Sequence, residues 1–138
     1  MIQDGPVELR VFAEHHVAVA RQKAKNFAAR ADMTQSALYA VATCVSELAS
    51  NLVFHSQRGG VISVSTKTGD GRILFEMTSQ DDGPGIPDLE LALLDGYTTR
   101  GGLGGGLPSL RRMMDEFDIT STVGVGTRIV ARKWEQCR

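Results

Sequence analysis

Two stretches of this 138-residue chain carry residue types whose spacing suits chemistry. The first, Asp81 to Pro108, reads DDGPGIPDLELALLDGYTTRGGLGGGLP. An Asp opens it inside a Gly/Pro-rich turn, and six glycines fall between Gly96 and Gly106. Glycine serves where backbone needs positive φ or must come close to a ligand. A helix is predicted to follow, from Leu107 to about Phe117. A helix start offers free N–H groups and a positive dipole end, which suit a phosphate. The second stretch carries Glu47, Asn51 and His55, each four residues apart and so stacked on one helix face. Together they point to a nucleotide pocket. In that pocket the Asp turn reads the base and the glycine run covers the phosphates; the polar helix face is either a plain solvated face or looks into the space between.

The elements that must hold these residues follow from periodicity. Val7, Leu9 and Val11 alternate with Glu8 and Arg10, which predicts a first strand. A helix is predicted over His15–Arg30, with Val19, Lys23 and Phe27 at helical spacing. His15 and His16 have no carboxylate or Cys at metal-ligand spacing and read as surface residues. Thr34 is the expected N-cap of a long second helix, Gln35 to about Phe54. Leu38, Val41, Val45, Leu48 and Leu52 form its apolar stripe.

After the Arg58-Gly59-Gly60 break, a strand is expected over Val61–Thr68. The turn Gly69-Asp70-Gly71 returns it as Ile73–Thr78, so Asp81 sits at a sheet terminus. Pro87 opens a short helix, about Asp88 to Leu94, before the glycine-rich lid. The helix after the lid turns Leu110, Met113 and Met114 inward. Ile119–Thr122 and Thr127–Trp134 then flank a Gly124-Val125-Gly126 turn as strands. The predicted fold class is α+β: a two-layer sandwich, helices on one face of a mixed sheet, one domain over residues 1–138.

Composition narrows the function classes. With 42% hydrophobic and 22% charged residues, the chain suits one domain with one core. A formal charge of -1 with no basic block argues against nucleic acid as a partner. No apolar run approaches the ~18 residues of a membrane span, and MIQDGPVELR does not read as a signal peptide, so no membrane is expected as a partner. Cys44 and Cys137 make no disulfide framework; Cys44 reads as a buried thiol and Cys137 as part of a frayed end. A reduced, cytoplasmic setting fits.

Several nucleotide motifs are absent. No Lys follows the glycine run as a P-loop needs. No GxGxxG follows a strand with an acidic residue downstream, so the Rossmann fingerprint fails. The lysine, HRD and DFG set of the eukaryotic-type protein kinases is missing, and no Cys/His cluster has zinc spacing. What remains resembles the GHKL ATPase superfamily of gyrase, histidine kinases and MutL. Glu47-Leu48-Ala49-Ser50-Asn51 is similar to its N box, and Asp81-Asp82-Gly83-Pro84-Gly85 to its DxGxG box. Gly102-Leu103-Gly104-Gly105-Gly106-Leu107 resembles its GxGxGL lid box, and Gly126-Thr127 its last element. The four boxes occur in order. The stretches DGYTTRGGLGGGLPSLRRMMDEFDI and GTRIVARKW are similar to the RsbT-type serine/threonine kinases of bacterial partner switching.

The resemblance implies a role for each box. Asp81 accepts a hydrogen bond from the adenine amine, and Gly83 and Gly85 let the loop approach the base. Thr127 supports adenine through its hydroxyl or a water. Asn51 contributes one oxygen to Mg²⁺, which keeps most of its waters. Glu47 orients or deprotonates an acceptor hydroxyl. Arg100 stabilises charge on the transferring group. Gly102, Gly104, Gly106 and Leu107 cradle the phosphates of ATP by backbone N–H. The implied substrate is a Ser or Thr of a STAS-domain antagonist in a stressosome-like complex. The implied downstream effector is a protein such as a PP2C-type phosphatase. Two other outputs stay open: an anti-sigma factor kinase, and a nucleotide-gated binding module with little catalysis. Monomer or dimer is not decided by the sequence.

Overall fold

The computed structural model describes residues 2–87 and 106–137. Among these the order is β1 (Ile2–Val11), α1 (His15–Arg30), α2 (Gln35–His55), β2 (Gly60–Gly69), β3 (Arg72–Asp81), α3 (Gly106–Met113), β4 (Glu116–Thr122) and β5 (Gly126–Gln136). The strands form one five-stranded sheet in the order β1-β2-β3-β5-β4. All four pairings are antiparallel, where the sequence predicts a mixed sheet. Chain direction explains the difference. Two helices lie between β1 and β2, so the chain re-enters the sheet reversed, whereas a single crossover helix returns it parallel. β3 and β4 run the same way, but β5 lies between them.

The sheet is two-faced because its residues alternate. Leu9 and Val11, Ile62 and Val64, Ile73, Phe75 and Met77, Ile129 and Ala131 point to the helices and are buried in one cluster with them. The opposite face carries Lys67, Glu76, Arg128 and Arg132. There Glu76 accepts from Arg132 Nε at 2.6 Å. On α2 the expected stripe of Leu38, Val41, Val45, Leu48 and Leu52 is buried throughout. On α1 the stripe is different: Ala20, Ala24, Phe27 and Ala28 face inward, and Val19 is 47% exposed. Small alanines let α1 lie close against α2, and a Val–Lys stripe does not.

Capping ties the layers together. Thr34 accepts from Ala37 N at 3.2 Å, as a helix N-cap should. Glu135 at the end of β5 in turn accepts from Thr34 N at 2.9 Å and from the Thr34 hydroxyl, fixing the start of α2 to the sheet. His16 is not an idle surface residue. Its Nδ1 accepts from Phe12 N at 2.9 Å and Ala13 N at 3.2 Å, so it holds the turn that joins β1 to α1. Cys137 is exposed but not frayed, since its N–H donates to Gly71 O at 2.8 Å.

One further expectation is corrected. The predicted helix to Phe117 stops at Met113, because β5 captures the next residues. Asp115 N donates to Arg132 O at 2.9 Å, Asp115 Oδ2 accepts from Trp134 N at 2.7 Å, and Lys133 Nζ bonds Met113 O at 3.2 Å. Phe117 therefore lies on β4. Also, α2 is long and apolar enough to cross a membrane by length and composition, though 67% of its apolar window is buried inside the fold. It is the core helix of this sandwich.

Candidate functional site

Asp81 ends β3 opposite Thr127 on β5, and Thr127 in turn lies opposite Ser121 on β4. Residues paired this way share a face, so the three side chains form a row on the helix side at one end of the sheet. The Asp81 carboxylate accepts from Gly83 N at 2.8 Å. Burial pushes its pKa up, and the N–H groups of Gly83 and Thr127 hold that rise back. Asp82 turns outward and pairs with Arg58 at 3.2 Å.

Glycines bring the pieces together. A methyl on Gly83 would stand 3.1 Å from Ser56 Cα, so the Asp81 turn rests on the residue that ends α2. A methyl on Gly60 would stand 2.7 Å from Leu52 Cδ2 and 3.2 Å from Asp81 Cβ. The last turn of α2 and the Asp81 turn are thus neighbours, as the two polar stretches require. Gly126 has φ +143°, and a methyl there would overlap the Asp81 carbonyl oxygen. We expect Gly126→Ala to cost about 2–4 kcal/mol from strain and overlap together. That is a fall of about 10 °C in Tm, with weaker nucleotide binding. A melt within about 2 °C of wild type would remove Gly126 from the packing of this site.

Along α2 the polar row changes depth. Glu47 is 1% exposed, Asn51 is half-buried and His55 is exposed. Glu47 is therefore no solvated surface residue but part of the interior. Beside it the Cys44 thiol is pushed up to about 12, first by burial and then by the Glu47 charge, which leaves it inert. Partial burial lowers the His55 pKa. Gly106 opens α3 with φ +64°, and Leu107 and Pro108 after it are buried. α3 packs against α2. Arg100, Gly102 and Gly104, and the helix expected over Asp88–Leu94, lie outside the described residues.

Sequence reasoning missed Ser121. Its hydroxyl accepts from Ile86 N at 2.7 Å and lies 2.8 Å from Thr127 Oγ1. A signal was present: Phe117, Ile119 and Ser121 alternate onto the inner face, so a polar residue stands where an apolar one is expected. Ser56 was missed as well. It closes the α2 end by donating to Gly59 O at 2.6 Å.

The histidine kinase-like ATPase domain family matches residues 12–133, and the chain belongs to that family. The serine/threonine-protein kinase RsbT of Bacillus subtilis is 36% identical over 126 residues, covering 91% of this chain and 94% of that protein. An anti-sigma F factor of Geobacillus kaustophilus is 33% identical over 120 residues, 83% of this chain and 81% of that one. Among solved structures, the RsbU and RsbW domains of Rv1364c from Mycobacterium tuberculosis superpose with a TM-score of 0.64 at 15% identity. That match covers 98% of this chain, which spans 34% of the longer one, and it speaks to fold alone. The α+β sandwich is therefore the histidine kinase-like ATPase fold.

Proposed function

We propose that this protein is a switch kinase that transfers the γ-phosphoryl group of ATP to a Ser or Thr on a STAS-domain antagonist. The observation that carries the reading is the α2 row. A buried carboxylate, Glu47, and a half-buried amide, Asn51, lie two turns and one turn, respectively, from a helix end that rests on the Asp81 turn. The enzyme class, an ATP-using protein kinase, rests on the family and on the near full-length likeness to RsbT.

Each residue then has a part. Asp81 keeps lone pairs beyond those bound to backbone, and accepts from the 6-amine of adenine, where guanine presents a carbonyl. Gly83 and Gly85 bring the loop against the base, and Thr127 supports it. The donor set suits Mg²⁺, because the Asn51 carboxamide offers one oxygen and the phosphates and waters complete the shell. Bound there, Mg²⁺ supplies charge neutralisation on the phosphates. Glu47 takes the proton of the acceptor hydroxyl as that oxygen bonds to phosphorus and the bond to ADP breaks. Arg100 draws off developing charge, and Gly102, Gly104, Gly106 and Leu107 hold the phosphates by backbone N–H.

In this reading the kinase acts in the cytoplasm. Release from the phosphorylated antagonist frees it to activate an effector such as a PP2C-type phosphatase. A second reading, an anti-sigma factor kinase, is favoured by the 33% identity to anti-sigma F factor. One experiment separates the readings. Purified protein with γ-labelled Mg-ATP is added to a lysate of the source cells, and sigma subunits are probed by pull-down. A label on one small protein, placed on Ser or Thr by mass spectrometry, supports the switch kinase. Stable capture of a sigma subunit supports the second reading. Tight ATP binding with no transfer turns the reading into a nucleotide-gated binding module.

A further inference from the structure

We propose that Ser121 is a positioning residue that sets which way the Thr127 hydroxyl donates, and so helps the pocket select adenine. The inference rests on the nucleotide reading above and deepens it. Ser121 Oγ has one proton and two lone pairs. One lone pair takes the Ile86 N–H at 2.7 Å. The proton has two acceptors in range: Thr127 Oγ1 at 2.8 Å and Gly126 O at 3.4 Å. Either hydroxyl can donate across the 2.8 Å contact, and because Gly126 O at 3.4 Å is a weak acceptor, Ser121 gives its proton to Thr127 once an adenine acceptor draws the Thr127 proton away. Thr127 then accepts on that side, and its own proton is left to point into the pocket beside the Asp81 carboxylate.

That polarity matches one purine edge. Adenine offers a donor at its 6-amine and an acceptor at N1, and it meets an acceptor at Asp81 and a donor at Thr127, directly or through a water. Guanine inverts both groups and meets a carboxylate with a carbonyl and a donor with a donor. Ser121 touches no base in this arrangement. It acts through Thr127, and through Ile86 it also ties the loop after Asp81 to β4. Gly124 N, bonded to Pro84 O at 2.9 Å, holds the same loop from the hairpin turn.

The test measures Mg-nucleotide binding by calorimetry for wild type, Ser121→Ala and Ser121→Thr, with ATP and with 1-deaza-ATP, which lacks the N1 acceptor. Ser121→Ala is expected to bind ATP about five- to tenfold more weakly, the worth of one hydrogen bond. On 1-deaza-ATP its loss should shrink to near one, and Ser121→Thr, which keeps the hydroxyl and suits a strand, should restore ATP affinity. Equal losses on both nucleotides, or no loss on ATP, overturn the proposal. Asp81→Asn serves as the control for the pocket. If that change leaves ATP affinity intact, the nucleotide reading falls; if it abolishes binding while Ser121→Ala has no effect, only the Ser121 inference falls.

Discussion

Glu47→Gln should bind ATP as wild type does and lose phosphotransfer by about 10²–10⁴-fold, the usual worth of a positioned general base. Gln keeps the shape and hydrogen-bonding capacity of the side chain, so a buried site is not left with a hole. Glu47 and Asn51 are one helical turn apart, about 6 Å along the α2 axis. In the proposed mechanism a carboxylate at that spacing serves the acceptor side of the phosphoryl group while Asn51 serves the metal side. The burial of Glu47, 1% exposed, keeps bulk water from competing for the proton. Glu47→Ala should show the same split between binding and transfer, with some loss of stability from the cavity. Single-turnover labelling beside nucleotide titration measures both arms. Unchanged transfer by the Gln variant would remove Glu47 from the chemistry.

Asp81→Asn acts on binding instead. A hydrogen bond to a charged acceptor is worth about 1.5–3 kcal/mol, so ATP affinity should fall about 10- to 100-fold. The pH dependence of the wild type has a definite sign. Burial, the first cause, raises the Asp81 pKa above its ordinary 3.8. ATP affinity should therefore weaken as pH falls through a point above the usual carboxylate value. Stability without nucleotide runs the other way. A group with a raised folded pKa favours folding below its unfolded pKa, and that contribution is lost as pH rises through the folded one. The Asn variant escapes this loss, so at neutral pH it should melt no lower than wild type while binding ATP poorly. A parallel fall in Tm and affinity would instead mean that the variant simply unfolds.

Much of the site was legible because its residues sit at ends and turns with strong local chemistry. The Asp81 turn, the four-residue spacing of Glu47 and Asn51, and Thr34 as a helix cap are all short-range features. The element bounds of α1, His15–Arg30, follow from such local periodicity. What stayed hidden is long-range. Nothing near Glu135 announces that it will hold Thr34, 101 residues away. The insertion of β5 between β3 and β4 leaves no mark on either strand, so the sheet read as mixed. The row Asp81, Thr127, Ser121 exists only once that order is known, which is why Ser121 escaped notice. Val19 and the alanines of α1 show a subtler limit. Hydrophobic size favoured Val19, whereas close helix packing favoured Ala20 and Ala24.

The place of β5 also bears on synthesis. Strands leave the ribosome in sequence order, yet the middle of the right half of this sheet is the strand made after β4. A nascent chain that has reached only Thr122 has made β1, β2 and β3, which pair with one another in the finished sheet, while the strand that β4 pairs with is still missing. The same late segment carries Gly126 and Thr127 against Asp81, and Glu135 against Thr34. Chains stalled before this point lack a seam rather than a border, and with it the wall of the pocket. Nucleotide retention would then begin abruptly once β5 is inserted between β3 and β4, and that step marks the moment at which the pocket first exists.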